Sequence, residues 1–254
     1  MPMLVAITPP PPPAIIFFSI LTLTGIIIIV CIRAERVRKR AMAAFLTERG
    51  FEHAMKPTAT EKSEVFAPFA ALARLKNRER GVEWWAMGQH NNFSILIMAH
   101  AFVVSTGKSS HTIRNLCIAV RGGGDGGGVG GGGGVGWPLL LLTSESLLSR
   151  IGEKLGLKAD FKVEDEAFNK RWKVECPDEG FALAILSPEV QEVLKTGHAM
   201  DWWAIGGMGR SGGGSMVCLG RNAVGSPKVV DEMLEHLTTV IARLPTEARA
   251  GLGV

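Results

Sequence analysis

The first 32 residues carry no charged side chain, and this absence is the strongest feature of the sequence. Within them lies a run of nineteen residues, Ala14–Ile32, which reads AIIFFSILTLTGIIIIVCI. As a helix this run spans about 28 Å, close to the ~30 Å hydrocarbon thickness of a bilayer. The sequence therefore predicts one N-terminal transmembrane helix over residues 14–32.

Three other interpretations of this run fit less well. A cleaved signal peptide needs a basic segment before its apolar core and a small-x-small cleavage site after it, and the sequence offers neither. A lipoprotein signal needs small residues before its cysteine, whereas Ile29 and Val30 precede Cys31. A buried core helix is disfavoured because the run is apolar on every side, which suits lipid better.

A basic cluster follows the apolar run directly and predicts its orientation. The positive-inside rule places residues 1–13, a Pro-rich stub, outside the cell membrane and residues 33–254 in the cytoplasm. The cluster either serves only to set this topology or also binds anionic lipid headgroups at the membrane surface. Its basic members are Arg33, Arg36, Arg38, Lys39 and Arg40.

The rest of the chain lacks a net charge. Residues 41–254 hold 23 basic and 23 acidic side chains, so the formal charge of +4 comes from residues 33–40. A nucleic-acid-binding domain is expected to show a basic face. We therefore expect the lipid bilayer and a protein as partners, and no nucleic acid.

Paired metal-ligand motifs are missing as well. The four cysteines form no C-x-x-C pair and the six histidines show no H-x-x-x-H spacing, which argues against a zinc or thioredoxin-type site. An acidic stretch around residues 160–166 lacks the ligand spacing of a calcium loop and is interpreted as a solvated turn. The sequence predicts no metal site and no cofactor.

Three short matches to catalytic motifs are rejected on context. The TGKSS stretch at 106–110 has Phe102 where a phosphate-binding loop needs glycine, and it is interpreted as a hairpin turn. The G-x-S-x-G match at 209–213 lacks the strand-to-helix turn of a nucleophile elbow. A glycine run at 122–136 matches a dinucleotide fingerprint trivially. No catalytic residue is therefore predicted.

Beyond the anchor the pattern indicates an α+β fold. Period-two runs EWWAMG, FSILIMAHAFVVS and TIRNLCIAV, from Val82 onward, predict an antiparallel meander. Residues 122–136, twelve of them Gly, predict a flexible insertion in a loop. The second half repeats the alternation of strands with about three packing helices, of which two have Ser-Pro starts at 187–188 and 226–227.

These patterns divide the chain into segments. A basic juxtamembrane helix is expected to end at Gly50, and a short helix is expected after Pro68. The segments are the stub 1–13, the span 14–32, the juxtamembrane helix 33–50, a cytoplasmic domain 51–245 that could be two similar halves (51–121 and 137–245), and a frayed tail 246–254.

An internal echo marks the candidate interaction residues. VEWWAMG at 82–88 resembles MDWWAIG at 200–206, which is either a diverged duplication or a coincidence of two amphipathic strands. Each strand is expected to bury one tryptophan and expose the other. Exposed aromatic side chains are common at the centres of interfaces. The candidate interface residues are Trp84, Trp85, Trp202 and Trp203.

Two stretches, KRAMAAFLTERGFEH and EAFNKRWKVECPDEGFALAILSPEV, carry a family resemblance. They resemble an uncharacterised group of bacterial membrane-anchored proteins, which share a basic juxtamembrane helix ending in R-G-F and a later F-N-x-x-[FW]-x-V strand. The resemblance implies a bacterial source and an α+β domain, and it implies no activity.

The function expected from these features is that of a non-enzymatic, membrane-tethered binding or scaffold domain. The motivation is the anchor, the tryptophan pairs and the lack of a readable catalytic site. Two alternatives stay open. One is an enzyme whose site is dispersed across the fold, which we favour less than a binding domain. The other is a lipid-surface sensor that uses residues 33–40.

Overall fold

The computed structural model describes residues 13–66, 69, 81–105, 107, 109–121, 138–144, 160–197, 200–207, 214–221 and 226–252. The chain divides into two compact units, Met1–Ala41 and Met42–Val254. Four predicted features lie outside the described residues. They are the external stub before Pro13, the short helix after Pro68, the glycine-rich insertion at 122–136 and the third of the packing helices, which was expected to begin at Ser144 or Ser146.

Helix α1, Pro13–Glu48, contains the whole predicted transmembrane run. The large apolar side chains between Phe17 and Ile32 are 50–66% exposed, so they are not buried in a protein core. The hydroxyls of Thr22 and Thr24 donate to carbonyls one turn earlier at 2.8 Å, which satisfies both within the helix. The helix is long and apolar enough to cross a membrane.

Gly50 ends α1, as the sequence predicts. Its φ is +72°, a left-handed conformation that glycine adopts without a steric cost. The N–H of Gly50 donates to Thr47 O at 3.0 Å, and the N–H of Phe51 donates to Leu46 O at 2.9 Å. These two bonds form a Schellman motif, and the buried side chains of Leu46 and Phe51 supply its usual apolar pair.

The second unit is built on one nine-stranded sheet in which every pair is antiparallel. The order across the sheet is β1-β2-β3-β4-β9-β8-β5-β7-β6. The strands are β1 Glu52–Ala54, β2 Val82–His90, β3 Phe93–Ser105, β4 Ser110–Arg121, β5 Leu140–Ser144, β6 Asp160–Phe161, β7 Trp172–Glu175, β8 Trp202–Gly207 and β9 Gly214–Arg221.

The first half of the sheet is the predicted meander. β2 and β3 are joined through Asn91 and Asn92, which both have positive φ, the conformation of a tight hairpin turn. β3 and β4 pair from Ser94↔Arg121 to Ser105↔Ser110, so the two strands that flank the predicted turn form a hairpin, while Thr106 and Lys108 of the turn lie outside the described residues. The antiparallel α+β prediction for this half is confirmed.

The two sequence halves share this sheet. β4 from the first half pairs with β9 from the second over residues 115–121 and 215–221. β8 then pairs with β9 on one side and with β5 on the other. A single hydrogen-bonded ladder therefore runs through the junction between the halves.

Six further helices are described, and their positions correct several predictions. The short helix expected after Pro68 falls on residues outside the described ranges, and the helix before it, α2 (Ala59–Phe66), was not predicted. The acidic stretch expected to be a solvated turn is helical from Glu166, and the tail expected to be frayed forms a helix whose Ala248 is buried. The helices are α2 Ala59–Phe66, α3 Glu166–Arg171, α4 Glu179–Ile185, α5 Pro188–Thr196, α6 Pro227–Arg243 and α7 Thr246–Leu252.

The acidic stretch becomes helical because one of its carboxylates is a helix cap. Asp165 Oδ1 accepts a hydrogen bond from the N–H of Phe168 at 2.9 Å, which fixes the first turn of α3. Phe168 is buried, so the short helix is also held by the core. The solvated-turn interpretation missed this because a capping aspartate and a loop aspartate look alike in sequence.

Both faces of the sheet are covered. One face, the helix face, packs Trp84, Ile97, Ile118 and Trp203 into a core with the end of α1 and with α3–α7. The second face carries Trp85, Met98, Cys117 and Trp202, and packs with Val65 and Phe66 of α2 and with Phe69.

Candidate functional site

The four candidate interface tryptophans are buried. Trp84, Trp85, Trp202 and Trp203 are 3%, 7%, 6% and 0% exposed. Each strand does turn its two tryptophans to opposite faces, as the period of two requires. However, both faces are covered within the chain itself, so no tryptophan is the outward one that was expected. These residues contribute to the core. The interface hypothesis required exposed tryptophans, so burial removes its basis.

The sequence echo does not correspond to equivalent positions in the sheet. Trp84 aligns with Trp202, but Trp84 lies on the helix face and Trp202 on the second face. The register of β2 shifts between Val82 and Trp84, which is consistent with a bulge at the start of the echo. The repeated WWA therefore reflects two strands, β2 and β8, that are each buried on both faces of the sheet and place one tryptophan on each face.

The predicted basic cluster lies along α1 within the first unit. Glu35 accepts a hydrogen bond from Arg38, and its carboxylate lies 3.6 Å from Lys39 Nζ. The other three members have no ion pair with any residue that the structure describes, and all are exposed. They are Arg33, Arg36 and Arg40.

One cavity lined by described residues is in the second unit. A pocket of about 310 Å³ lies between α2 and the second face of the sheet, beside the edge strand β1. This size falls at the lower end of the roughly 300–1,000 Å³ typical of small-ligand sites. Its lining combines apolar side chains with three carboxylates: Val65, Trp85, Met87 and Leu96 together with Glu52, Glu61 and Glu64.

The sheet register explains why these side chains meet. Glu52 of β1 pairs with Met87 of β2, and Met87 pairs with Leu96 of β3, so the three residues form a row across the sheet. Directly paired residues of antiparallel strands project to the same face. Trp85 is two residues from Met87 on β2 and shares that face, the second face.

Helix α2 supplies the opposite wall, and its first turn fixes one carboxylate. Glu61 Oε2 accepts from the N–H of Thr58 at 2.6 Å, and the N–H of Glu61 donates to Thr58 Oγ1 at 3.3 Å. This reciprocal pair is a capping box. The hydrogen bonds from Thr58, the backbone one first, lower the pKa of Glu61 and favour its ionised form.

The pocket has more negative charge than its described surroundings neutralise. No lysine, arginine or histidine among the described residues forms an ion pair with Glu52, Glu61 or Glu64. In addition, the indole N–H of Trp85 is buried and has no hydrogen-bond partner in the described part of the chain. Such a donor is costly to leave unpaired.

The arrangement does not suit a single metal ion. Within the described ranges, no three His, Cys, Asp or Glu side chains lie close enough to hold one. The three pocket carboxylates therefore line the same cavity without forming a metal-binding group.

Other reactive groups lie elsewhere. Cys117 and Cys176 are buried, and burial raises the pKa of the Cys176 thiol, which disfavours a nucleophilic thiolate. His90 Nε2 lies 3.3 Å from Glu235 Oε1 at the β2–β3 turn. The G-x-S-x-G stretch at 209–213 lies outside the described residues.

Sequence reasoning missed the pocket. One local signal was available, because Thr58-Ala59-Thr60-Glu61 matches the T-x-x-E capping box that opens a helix. That match would have placed α2 before Pro68 and put Glu61 and Glu64 on a helix. The meeting of α2 with Glu52 and Trp85 is a tertiary contact that no short pattern encodes.

Comparison of the chain with protein-family models, with curated proteins and with solved structures gives no significant match.

Proposed function

We propose that this protein is a single-pass membrane protein in which α1 anchors a binding domain, residues 42–254, at the membrane surface. The observation that carries the proposal is the exposure of the apolar run in α1. Eleven large apolar side chains between Phe17 and Ile32 are at least 50% exposed. Transfer of these side chains from water to the bilayer centre is favourable by roughly 3 to 7 kcal/mol in total on an insertion scale.

Charge asymmetry supports one orientation. No charged side chain precedes Arg33, and five basic side chains follow within eight residues. The positive-inside rule then gives an external N-terminus and a cytoplasmic domain. Arg33, Arg36 and Arg40, which have no ion pair with described residues, are free to contact anionic headgroups, each worth about 1 kcal/mol near the surface.

The binding role is supported by the pocket and not by the tryptophans. A cavity with an apolar lining and three carboxylates offers a ligand both contact area and polar partners. Its described lining residues include no arrangement of a nucleophile with an adjacent base, which a covalent mechanism would need. A membrane-tethered binding domain is therefore the function that the geometry supports best.

Membrane insertion is tested by synthesising the full chain in the presence of membrane vesicles. We expect the protein to resist alkaline extraction from the vesicles and to keep its N-terminus uncleaved, as measured by intact mass. We also expect protease added on the synthesis side to digest the domain. A variant with Leu21 and Leu23 both changed to Lys should be extracted, because two charges at the centre of the 14–32 span oppose insertion. A shortened mature chain would show that the run is a signal peptide and would overturn the anchor.

Orientation is tested separately with the triple change Arg33→Glu, Arg36→Glu and Arg40→Glu. The change leaves only Arg38 and Lys39 of the five basic side chains, and this weaker asymmetry should produce a mixed topology in protease protection. The matched control reverses three exposed cations far along the chain, Lys162→Glu, Lys170→Glu and Lys228→Glu, and should leave topology unchanged. Protection of the domain from protease in the unmodified protein would contradict the assigned orientation.

A further inference from the structure

Just beyond its apolar run, α1 has two sides that differ in charge. At about 100° of rotation per residue, Arg33, Arg36 and Arg40 share one side of the helix, and all three are exposed. Val37 lies on the same side and is exposed as well. We propose that this side, the arginine face, is a selective binding site for anionic phospholipid and not only a topology signal. The inference rests on the proposed anchoring of α1 and names the class of lipid that this part of the helix binds.

The charges on the opposite side of the helix are partly neutralised. Glu35, the single acidic side chain of residues 33–40, lies on that side together with Arg38 and Lys39. Glu35 accepts a hydrogen bond from Arg38, and its carboxylate lies 3.6 Å from Lys39 Nζ. The arginine face, in contrast, forms no ion pair with any residue that the structure describes. The uncompensated positive charge after the span is therefore concentrated on one side.

The arginine face lies at the depth of the lipid headgroups when the apolar run spans the bilayer. At ~1.5 Å of rise per residue, Arg33 to Arg40 lie about 2 to 12 Å beyond Ile32, the last residue of that run. The headgroup region extends about 5 to 8 Å from the hydrocarbon core on each side. Arg33 and Arg36 therefore lie within this region, and the long side chain of Arg40 reaches back towards it.

The side chains of the arginine face suit a phosphate next to an acyl chain. A guanidinium presents a planar fork of N–H groups that binds two phosphate oxygens at once. Val37, which is 59% exposed, lies among the three arginines and offers an aliphatic contact to the glycerol and acyl region. Phosphatidylcholine balances its phosphate with its own ammonium group, whereas phosphatidylglycerol does not. The arginine face should therefore prefer phosphatidylglycerol.

The test measures which lipids the full-length protein retains. The protein is purified in detergent and reconstituted in nanodiscs of phosphatidylcholine that contain a minor fraction of phosphatidylglycerol, and native mass spectrometry counts the bound lipids. We expect phosphatidylglycerol to be enriched over its bulk fraction, and the enrichment to fall as salt is raised because exposed charges are screened. Bound lipid at the bulk ratio would overturn the proposal.

Two double variants remove equal charge from opposite sides of the helix. Arg36→Gln with Arg40→Gln should lower the enrichment at least about fivefold, since one cation near an anionic surface typically changes binding about fivefold. Arg38→Gln with Lys39→Gln is the matched control and should leave the enrichment within about twofold of the unmodified protein. Equal losses in the two variants would show that only the number of charges matters, and would overturn the assignment to one face.

A soluble phosphate is tested as a competing ligand. Glycerol phosphate carries a phosphate without acyl chains, so at millimolar concentration it should not displace phosphatidylglycerol. Displacement would identify a site for a soluble ligand and overturn the lipid assignment. A protein that stays in the nanodisc without enriching phosphatidylglycerol contradicts only this inference, whereas one that does not stay in the nanodisc contradicts the anchor itself.

Discussion

Asp165 Oδ2 lies 2.8 Å from Lys195 Nζ, and the same carboxylate caps α3 through its other oxygen. The pair joins the start of α3 to the last turn of α5. The hydrogen bond from Lys195, followed by the one from Phe168, lowers the pKa of Asp165. The hydrogen bond to Asp165, followed by the one to Glu192, raises the pKa of Lys195.

This pair predicts how stability depends on pH. Because the pKa of Asp165 is lower in the folded state, its ion pair stabilises the fold above about pH 4 and is lost as the pH falls through that lowered pKa. The pKa of Lys195 is raised in the folded state, so its contribution to folding stability is present below about pH 10. That contribution is lost only at higher pH. Asp165→Asn should lower the unfolding temperature at pH 7, and the difference should vanish in acid.

Asp178→Asn is the matched control for that measurement. Asp178 caps α4 with the same geometry, since its Oδ1 accepts from the N–H of Phe181 at 2.9 Å, but it has no ion pair with a described residue. Asparagine is as good a cap as aspartate, so both variants keep the cap itself. If both variants lowered the unfolding temperature equally at pH 7, the ion pair between Asp165 and Lys195 would contribute nothing to stability.

Thr58→Ala should destabilise α2 and, through it, the pocket wall. The change removes Oγ1, which accepts from Glu61 N–H, while the backbone N–H of residue 58 still donates to Glu61. Loss of an N-cap hydroxyl typically costs about 1 kcal/mol. We expect faster amide hydrogen exchange over Ala59–Phe66, whereas Thr60→Ala, at an exposed position in the same helix, should leave that exchange slow.

Local sequence signals were sufficient for the elements that depend on them. The Gly50 stop, the β2–β4 meander and the Ser-Pro helix starts were all predicted, because a left-handed glycine, a period of two and a capped first turn act over a few residues. α1 was predicted for the same reason. Its apolar run needs no tertiary partner to be recognised.

The failures depend on contacts between distant residues. One tryptophan of each pair was expected to be exposed. Both are buried because α2 and the other helices cover both faces of the sheet, and that packing is not visible in a short sequence pattern. α3 and α4 are shorter than two turns and have no periodic stripe long enough to notice. The pocket combines α2 with three strands, so its charge pattern exists only after folding.

Trp203→Ala should cost about 3 to 5 kcal/mol of stability, the typical cost of truncating a large aromatic side chain in a core. Trp203 is fully buried on the helix face, beside His236 with ring centroids 5.6 Å apart. Leu183→Ala removes an exposed side chain of α4 and should cost little. Thermal unfolding followed by circular dichroism measures both, and a stable Trp203→Ala protein would revive an interface role for this residue.

Gly206→Ala should prevent the normal pairing of β8 with β5. The φ of Gly206 is +130°, and a Cβ there would lie 2.0 Å from the carbonyl oxygen of Pro138. That oxygen belongs to the backbone just before β5, so it cannot rotate away as a side chain would. The strained backbone alone costs on the order of 1 to 3 kcal/mol, and the displaced strand adds to it.

Gly180→Ala is the contrasting substitution, and the pair of variants tests the assigned backbone directly. Gly180 lies in α4, where a Cβ would be 3.4 Å from Asp178 Oδ1, a contact that a side chain can relax. Alanine is favoured over glycine in a helix by up to ~1 kcal/mol, so this protein should be slightly more stable. If Gly206→Ala instead melted at the wild-type temperature, β8 would have to run further from Pro138 than the structure places it, and the β5–β8 register would be wrong.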